Sequence, residues 1–191
     1  MAARHELFVP GRRRAGAVWI GVTGDDMIGL MAEQIVPATV DDLNTVLAEH
    51  GRYWGERDLR GLHLTALVQE FPTTCLVAVA DDGIRGYIVG FVTPDRVAYV
   101  HLIATRDDAR GTGLGRRLYA AFIEAARALG AQRLKAITSV ANAGSIAFHR
   151  SLGFDVREIE NYNGLGQNRV VFTRALDHEA SEATTAPASE Q

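Results

Sequence analysis

Val97-Ala98-Tyr99-Val100-His101-Leu102-Ile103-Ala104 runs into the polar bend Thr105-Arg106-Asp107-Asp108-Ala109, then Arg110-Gly111-Thr112-Gly113-Leu114-Gly115, then a long segment from Arg116 to Leu129. The opening segment is short, apolar and rich in β-branched and aromatic residues, which predicts a mostly buried strand. In the last segment Leu118, Phe122, Ala125, Ala126 and Leu129 recur at spacings of three and four, the pattern of one helix face, and Gly130 suits the position just past its end. A strand, a glycine-rich turn and a helix in this order make an anion site. The first turn of a helix has N–H groups without intrahelical partners and carries the positive end of the macrodipole. Glycines let a phosphate reach the backbone. Arg110, Arg116 and Arg117 surround the turn with full positive charge.

Two common phosphate motifs fail here. A P-loop needs Lys and then Ser or Thr after its last glycine, and Gly115 is followed by Arg116-Arg117. A dinucleotide fingerprint starting at Gly111 and Gly113 needs its third glycine at position 116, which is Arg. The spacing Arg110-x-x-Gly113-x-Gly115 instead resembles the pyrophosphate motif of the GCN5-related N-acetyltransferase (GNAT) superfamily. A second stretch, Asn142-Ala143-Gly144-Ser145-Ile146-Ala147-Phe148-His149-Arg150-Ser151-Leu152-Gly153-Phe154, looks like that family's other motif, in which an Asn opens a helix and a Gly-Phe pair follows it. The resemblance covers roughly Gln34 to Leu176.

The bulk properties agree with one globular domain. The chain has 191 residues, 47% hydrophobic and 23% charged, with a formal net charge of −3, so nothing global argues for nucleic acid. The single cysteine, Cys75, excludes an internal disulfide framework and suits a reducing, cytoplasmic setting. Neither it nor the scattered histidines have metal-ligand spacing, so no metal is expected. No run approaches the ~20 apolar residues of a membrane span. Arg12-Arg13-Arg14 precedes a short apolar run that ends in Thr23-Gly24-Asp25-Asp26 without a cleavage pattern, so it is not read as an export signal. Residues 1–32 are expected to be an N-terminal extension, with Met31 a candidate start; 33–176 form the domain; the polar tail over 177–191 is expected to be disordered.

In order, the sequence predicts a strand at Gln34–Ala38 and a helix capped by Thr39 that is interrupted at Gly51–Asp58. A second helix is expected near Leu59–Glu70 and an antiparallel hairpin over Cys75–Ala80 and Ile84–Val92. The central strand and third helix follow, then a strand at Leu134–Thr138, a fourth helix at Asn142–Leu152, and a final strand pair over Phe154–Glu160 and Asn168–Arg174. This matches the fold the resemblance implies, an α/β (α+β) GNAT fold. Its mixed sheet of six or seven strands is flanked by four helices in the order β-α-α-β-β-β-α-β-α-β-β.

The resemblance also implies a function: transfer of an acetyl group from acetyl-CoA, as cosubstrate, to a primary amine, most simply that of a small molecule. It implies that the pyrophosphate sits on the turn Arg110, Gly111, Thr112, Gly113, Leu114, Gly115 and Arg116. The pantetheine arm would pair with backbone near Ile103 and Thr105, and Asn142 and Ser145 would lie beside it. His101 is the candidate base, with Tyr99 on the same strand face; an imidazole titrates near ~6.5, close to working pH. The alternative for His101 is a packed histidine with one hydrogen bond. His149 stands where many members carry the tyrosine that protonates the leaving thiolate; it either keeps that role or only brackets the cofactor. Substrate selection would fall to Tyr53, Trp54, Glu56 and Glu70, with Asp58, His63 and the loop Tyr162–Gln167 nearby. Acetylation of a protein lysine or N-terminus, and a non-catalytic CoA-binding sensor or scaffold, are the competing readings. Members of the family often pair through their C-terminal strands, which leaves a homodimer open.

Overall fold

The computed structural model of the protein describes residues 33–176; the expected extension over 1–32 and the tail over 177–191 lie outside the described residues. The element order is β1 (Gln34–Pro37), α1 (Val40–Ala48), α2 (His50–Trp54), a 3-10 turn (Arg60–Leu62), α3 (Thr65–Glu70), β2 (Leu76–Ala80), β3 (Gly83–Val92) and β4 (Val97–Thr105). A second 3-10 turn (Asp107–Ala109), α4 (Leu114–Ala128), β5 (Arg133–Ser139), α5 (Ala143–Ser151), β6 (Asp155–Ile159) and β7 (Arg169–Ala175) complete it. The seven strands form one sheet in the order β1-β2-β3-β4-β5-β7-β6, antiparallel except where β4 meets β5. This is the mixed-sheet fold that the sequence predicts.

One expectation needs correction. The stretch Gly51–Asp58 does not simply interrupt the first helix. It holds α2, and the second predicted helix shrinks to α3 with a 3-10 turn before it. Glycine at position 51 argued for a break, but Tyr53 is 2% exposed and its hydroxyl donates to the Ile84 carbonyl at 2.7 Å, so burial against β3 outweighs local propensity. Thr39 caps α1 as expected: it accepts from the Asp42 amide at 3.2 Å, and its own amide donates back to the Asp42 carboxylate at 2.8 Å.

Two apolar layers enclose the sheet. Leu114, Leu118, Tyr119, Phe122 and Ala126 of α4 pack on one face with Ala98, Val100, Leu134 and Phe172. Leu43, Val46, Tyr53 and Val68 of the first helices pack on the other with Val77, Tyr87, Leu102 and Ala104. Strand β4 therefore serves both layers with residues of the same parity, Ala98 and Val100 on one side and Leu102 and Ala104 on the other. The register explains it: Val89 pairs with Leu102 and the next residue, Gly90, with Val100, so His101 is an extra residue in β4. The bulge puts two successive side chains on one face and flips the alternation beyond it.

The bulge leaves no room opposite. A Cβ on Gly90 would stand 2.4 Å from the Tyr99 carbonyl oxygen and 2.7 Å from the Phe122 ring. Overpacking costs ~1–3 kcal/mol where side chains can yield; here the nearest obstacle is backbone. Gly90→Ala is expected to lower stability by at least about 2 kcal/mol, read from the midpoint of chemical denaturation. A midpoint equal to the wild type would refute this close approach.

Candidate active site

β4 and β5 pair only from Val97–Arg133 to Val100–Ala136. Beyond the bulge they diverge, although β4 continues to Thr105 and β5 to Ser139. The strand edges that face each other across the gap have no sheet partner, and between them lies a cleft of about 1100 Å³. Its wall includes β4 from Tyr99 to Thr105, β5 from Ala136 to Ser139, the glycine turn, and the start of α5. The extra residue that changes the face of β4 thus sits where its pairing with β5 ends.

At one end the glycine turn enters α4. Gly111, Gly113 and Gly115 line the cleft with Arg110 and Arg116, while Leu114 turns into the core at 1% exposure and the Thr112 hydroxyl donates back to the Ala109 carbonyl at 2.8 Å. The turn needs glycine at two positions, because Gly111 and Gly113 have φ of +77° and +80°. A Cβ at Gly111 would meet nothing within 4 Å, so the turn presents bare backbone to open space. The first amides of α4, without side-chain caps, follow directly. Arg110 is held by the Tyr53 carbonyl at 2.9 Å, and Arg116 by the carbonyl and hydroxyl of Ser151, each at 3.2 Å. The free strand edge, the open glycine turn and the two arginines fit a ligand with a pyrophosphate and an extended arm. Asn142 braces that wall: its amide donates to Thr138 Oγ1 at 2.9 Å and its oxygen caps α5 at the Ser145 amide, 3.2 Å away.

The turn itself is anchored from behind by a residue the sequence reading passed over. Arg106 is 1% exposed, with its guanidinium paired to Asp108 at 2.7 Å and to Asp82, and donating to the Asp82 carbonyl at 3.1 Å. It ties the β2–β3 hairpin to the connection before α4. Its charge holds both carboxyls below their ordinary range, chiefly through the side-chain hydrogen bonds.

The candidate proton carriers differ in surroundings. His101 lines the cleft, and its Nε2 lies 2.8 Å from the Leu62 carbonyl. A carbonyl only accepts, so Nε2 carries the hydrogen and Nδ1 is the basic atom of the neutral ring. The Tyr99 ring lies 6.4 Å from it on the same face. Burial, and then the Tyr162 hydroxyl, push the Tyr99 hydroxyl up from its ordinary value. His149 reaches the cleft wall but is 3% exposed. Its Nδ1–H donates to the Ser145 carbonyl at 2.8 Å, its Nε2 accepts from the Tyr119 hydroxyl at 2.7 Å, and its ring stacks on Phe172 at 4.0 Å. Both nitrogens are therefore committed. Burial lowers its basicity, against which the Ser145 bond acts.

A sequence model of the acetyltransferase (GNAT) family matches residues 41–154, more than half of the chain. The chain belongs to the GNAT family. Over 56 residues it is 48% identical to the L-methionine sulfoximine/L-methionine sulfone acetyltransferase of Pseudomonas paraeruginosa; that match spans 29% of this chain and 33% of the relative. The chain thus aligns with only about a third of that protein. Among solved structures, the ribosomal-protein-alanine N-acetyltransferase of Brucella melitensis superposes with a TM-score of 0.57 at 28% identity, over 75% of this chain and 99% of that one. Salmonella typhimurium yncA, solved with acetyl-CoA, gives 0.59 at 22% identity, over 78% and 97%. At that identity the likeness speaks for the fold.

Among GNAT positions expected to select substrate, Trp54 lines the cleft, and Tyr53 contributes to the wall while its ring is buried. Glu56 and Glu70 do not join them. Both are exposed, one in the bend after α2 and the other at the end of α3, and neither belongs to the wall. Arg57 and Arg169 line the cleft, and no pattern in the sequence pointed to either. The segment over 59–62 is held by three imidazoles: His50 Nε2 accepts from the Leu59 amide at 3.3 Å, His63 Nδ1 donates to the Leu59 carbonyl at 2.9 Å, and His101 donates to Leu62. Tyr87 donates its hydroxyl hydrogen to His63 Nε2 at 2.6 Å and accepts from Trp54 Nε1 at 2.7 Å.

Burial lowers the pKa of His50, His63 and His149 below 6.5. A depressed histidine contributes stability that is complete above the unfolded value and is lost as pH falls through the folded one. The denaturation midpoint is expected to fall between pH 7.5 and pH 5, above the window where the depressed carboxyls Asp82 and Asp108 act. A midpoint that stays flat over that window would show that these rings are not held neutral.

Proposed function

We propose that the protein is an N-acetyltransferase that moves the acetyl group of acetyl-CoA to a primary amine of a small molecule. The observation that carries this reading is the free edge of β4 beyond the bulge, facing β5 across a cleft that ends on the open glycine turn. Gly111, Gly113, Gly115, Arg110 and Arg116 would hold the pyrophosphate. The β4 edge near Ile103 and Thr105 would pair with the extended arm, with Asn142 and Ser145 on the opposite wall. Acetyl-CoA supplies an activated thioester. The chain's own residues orient the amine against it and take up the proton.

His101 is the base in this reading. Attack requires a neutral amine, and the basic Nδ1 of His101 accepts its proton directly or through water. Leu62 fixes the tautomer by accepting from Nε2. Backbone amides of β4 beyond the bulge can stabilise the oxygen charge that develops at the carbonyl. We assign His149 to holding α5 against the sheet rather than to protonating sulfur, because its one hydrogen already binds the Ser145 carbonyl. A small amine is favoured by the relative whose name carries methionine sulfoximine and methionine sulfone.

The test is thiol release from acetyl-CoA with L-methionine sulfone, spermidine and an alanine-terminated peptide as acceptors. Wild type is expected to turn over the small amine in preference to the peptide. His101→Ala is expected to lose about 10²–10⁴-fold in kcat with acetyl-CoA binding retained. Preference for the peptide would move the reading to protein acetylation. Acetyl-CoA binding without thiol release from any acceptor would leave a cofactor-binding module.

A further inference from the structure

The charge pattern of the cleft reaches beyond the acetyl donor. Arg57, Arg110, Arg116 and Arg169 line its wall, and among the described residues no aspartate or glutamate does. Arg110 and Arg116 belong to the glycine turn. Arg57 and Arg169 come from elsewhere, the first from the bend between α2 and α3 and the second from the start of β7, where it pairs with Ser139 at the end of β5.

Both guanidiniums are held by neutral groups. Arg57 lies 5.2 Å over the Trp54 ring, and that indole is itself fixed by its bond to the Tyr87 hydroxyl. Cation–π contact positions the charge without cancelling it. Arg169 donates through Nη1 to the Asn168 carbonyl at 2.8 Å, and its Nε and Nη2 face the side-chain oxygen of Asn163 at 3.3 Å in the amide orientation that satisfies both groups. Among the described residues neither arginine forms an ion pair. Tyr99 and His101, the face on which the amine must be deprotonated, belong to the same wall.

Unpaired guanidiniums on a substrate wall attract anions and penalise cations, since like-charge juxtaposition with no carboxylate to relieve it is costly. Arginine's planar fork also matches a carboxylate in two parallel hydrogen bonds. We propose that the acceptor is a small amino acid, a molecule joining a primary amine to a free carboxylate, with Arg57 and Arg169 recognising the carboxylate while His101 serves the amine. The arrangement selects against polyamines and aminoglycosides, which carry cations where these arginines stand. It rests on the acetyl-transfer reading for its kinetics but not for its binding.

The experiment uses L-methionine sulfone, its carboxamide and its decarboxylated amine, with spermidine as a cationic control. The carboxamide's amine is the less basic one, so a preference for the free acid cannot arise from easier deprotonation. Wild type is expected to show at least a tenfold lower KM for the acid than for the carboxamide and no useful rate with spermidine. Arg57→Gln and Arg169→Gln are each expected to raise KM for the acid by about tenfold or more with kcat changed much less. The preference for acid over carboxamide should shrink, and acetyl-CoA affinity should stay within twofold. Arg169→Lys should recover part of the preference, since it restores charge but not the fork. Titration calorimetry of the same compounds against CoA-bound protein is the second arm. If no acceptor releases thiol but the acid alone binds, and binding weakens in both arginine variants, the recognition site stands and the acetyl-transfer reading falls. Equal KM or binding for acid and carboxamide would overturn the proposal. So would a preference for spermidine, or variants that lose acetyl-CoA instead.

Discussion

His101 is one residue more than β3 can pair with, and much of the architecture follows from accommodating it. Gly90 lies opposite, and the Tyr99 carbonyl and the Phe122 ring occupy the space a side chain would need. Before the bulge, Ala98 and Val100 pack against α4; after it, Leu102 and Ala104 pack under the first helices. Pairing with β5 ends at the same place. One inserted residue therefore links three features: the change of face, the opening of the sheet, and a histidine on the wall of the opening. A regular strand would keep its hydrogen bonds to β5 and leave no edge for an extended ligand arm to pair with.

Loops that carry function need to be held without a core of their own, and here buried polar groups do this. Arg106 binds the β2–β3 turn and Asp108 together behind the glycine turn. The guanidinium is buried while both carboxylates stay half exposed, so its desolvation is offset by several charged hydrogen bonds. The segment before α3 is held by imidazoles on its backbone. His50 and His63 are specified as neutral tautomers, because one ring nitrogen of each accepts, from the Leu59 amide and from the Tyr87 hydroxyl. That ties the geometry of the acceptor side to pH in a way that hydrophobic contacts alone would not.

The parts of the site legible in the sequence are those whose chemistry is local. A glycine turn before a helix positions amides through backbone conformation, and the positive φ values at Gly111 and Gly113 are what that spacing implies. Asn142 caps its own helix three residues ahead, again a local contact. The acceptor side is less legible in the sequence. Glu56 and Glu70 lie close in sequence to Trp54 and α3 but turn to solvent, whereas Arg57, the neighbour of Glu56, returns over the indole. Adjacent positions on an irregular bend carry no periodicity that would separate inward from outward. Gly86 and Gly90, inside a strand pattern, were the available signal for close backbone approach and irregular pairing.

By itself the sequence determined the order of the strands and the anion turn, because these depend on spacings within a few residues. Only the tertiary structure decided where β4 and β5 part, that both nitrogens of His149 are spent inside an aromatic layer, and that two arginines from distant segments share a wall on which no described residue carries a carboxylate. Those outcomes depend on pairing register and on which side chains fill the space across a contact. Such quantities are set jointly by residues tens of positions apart, and no single stretch of the chain contains them.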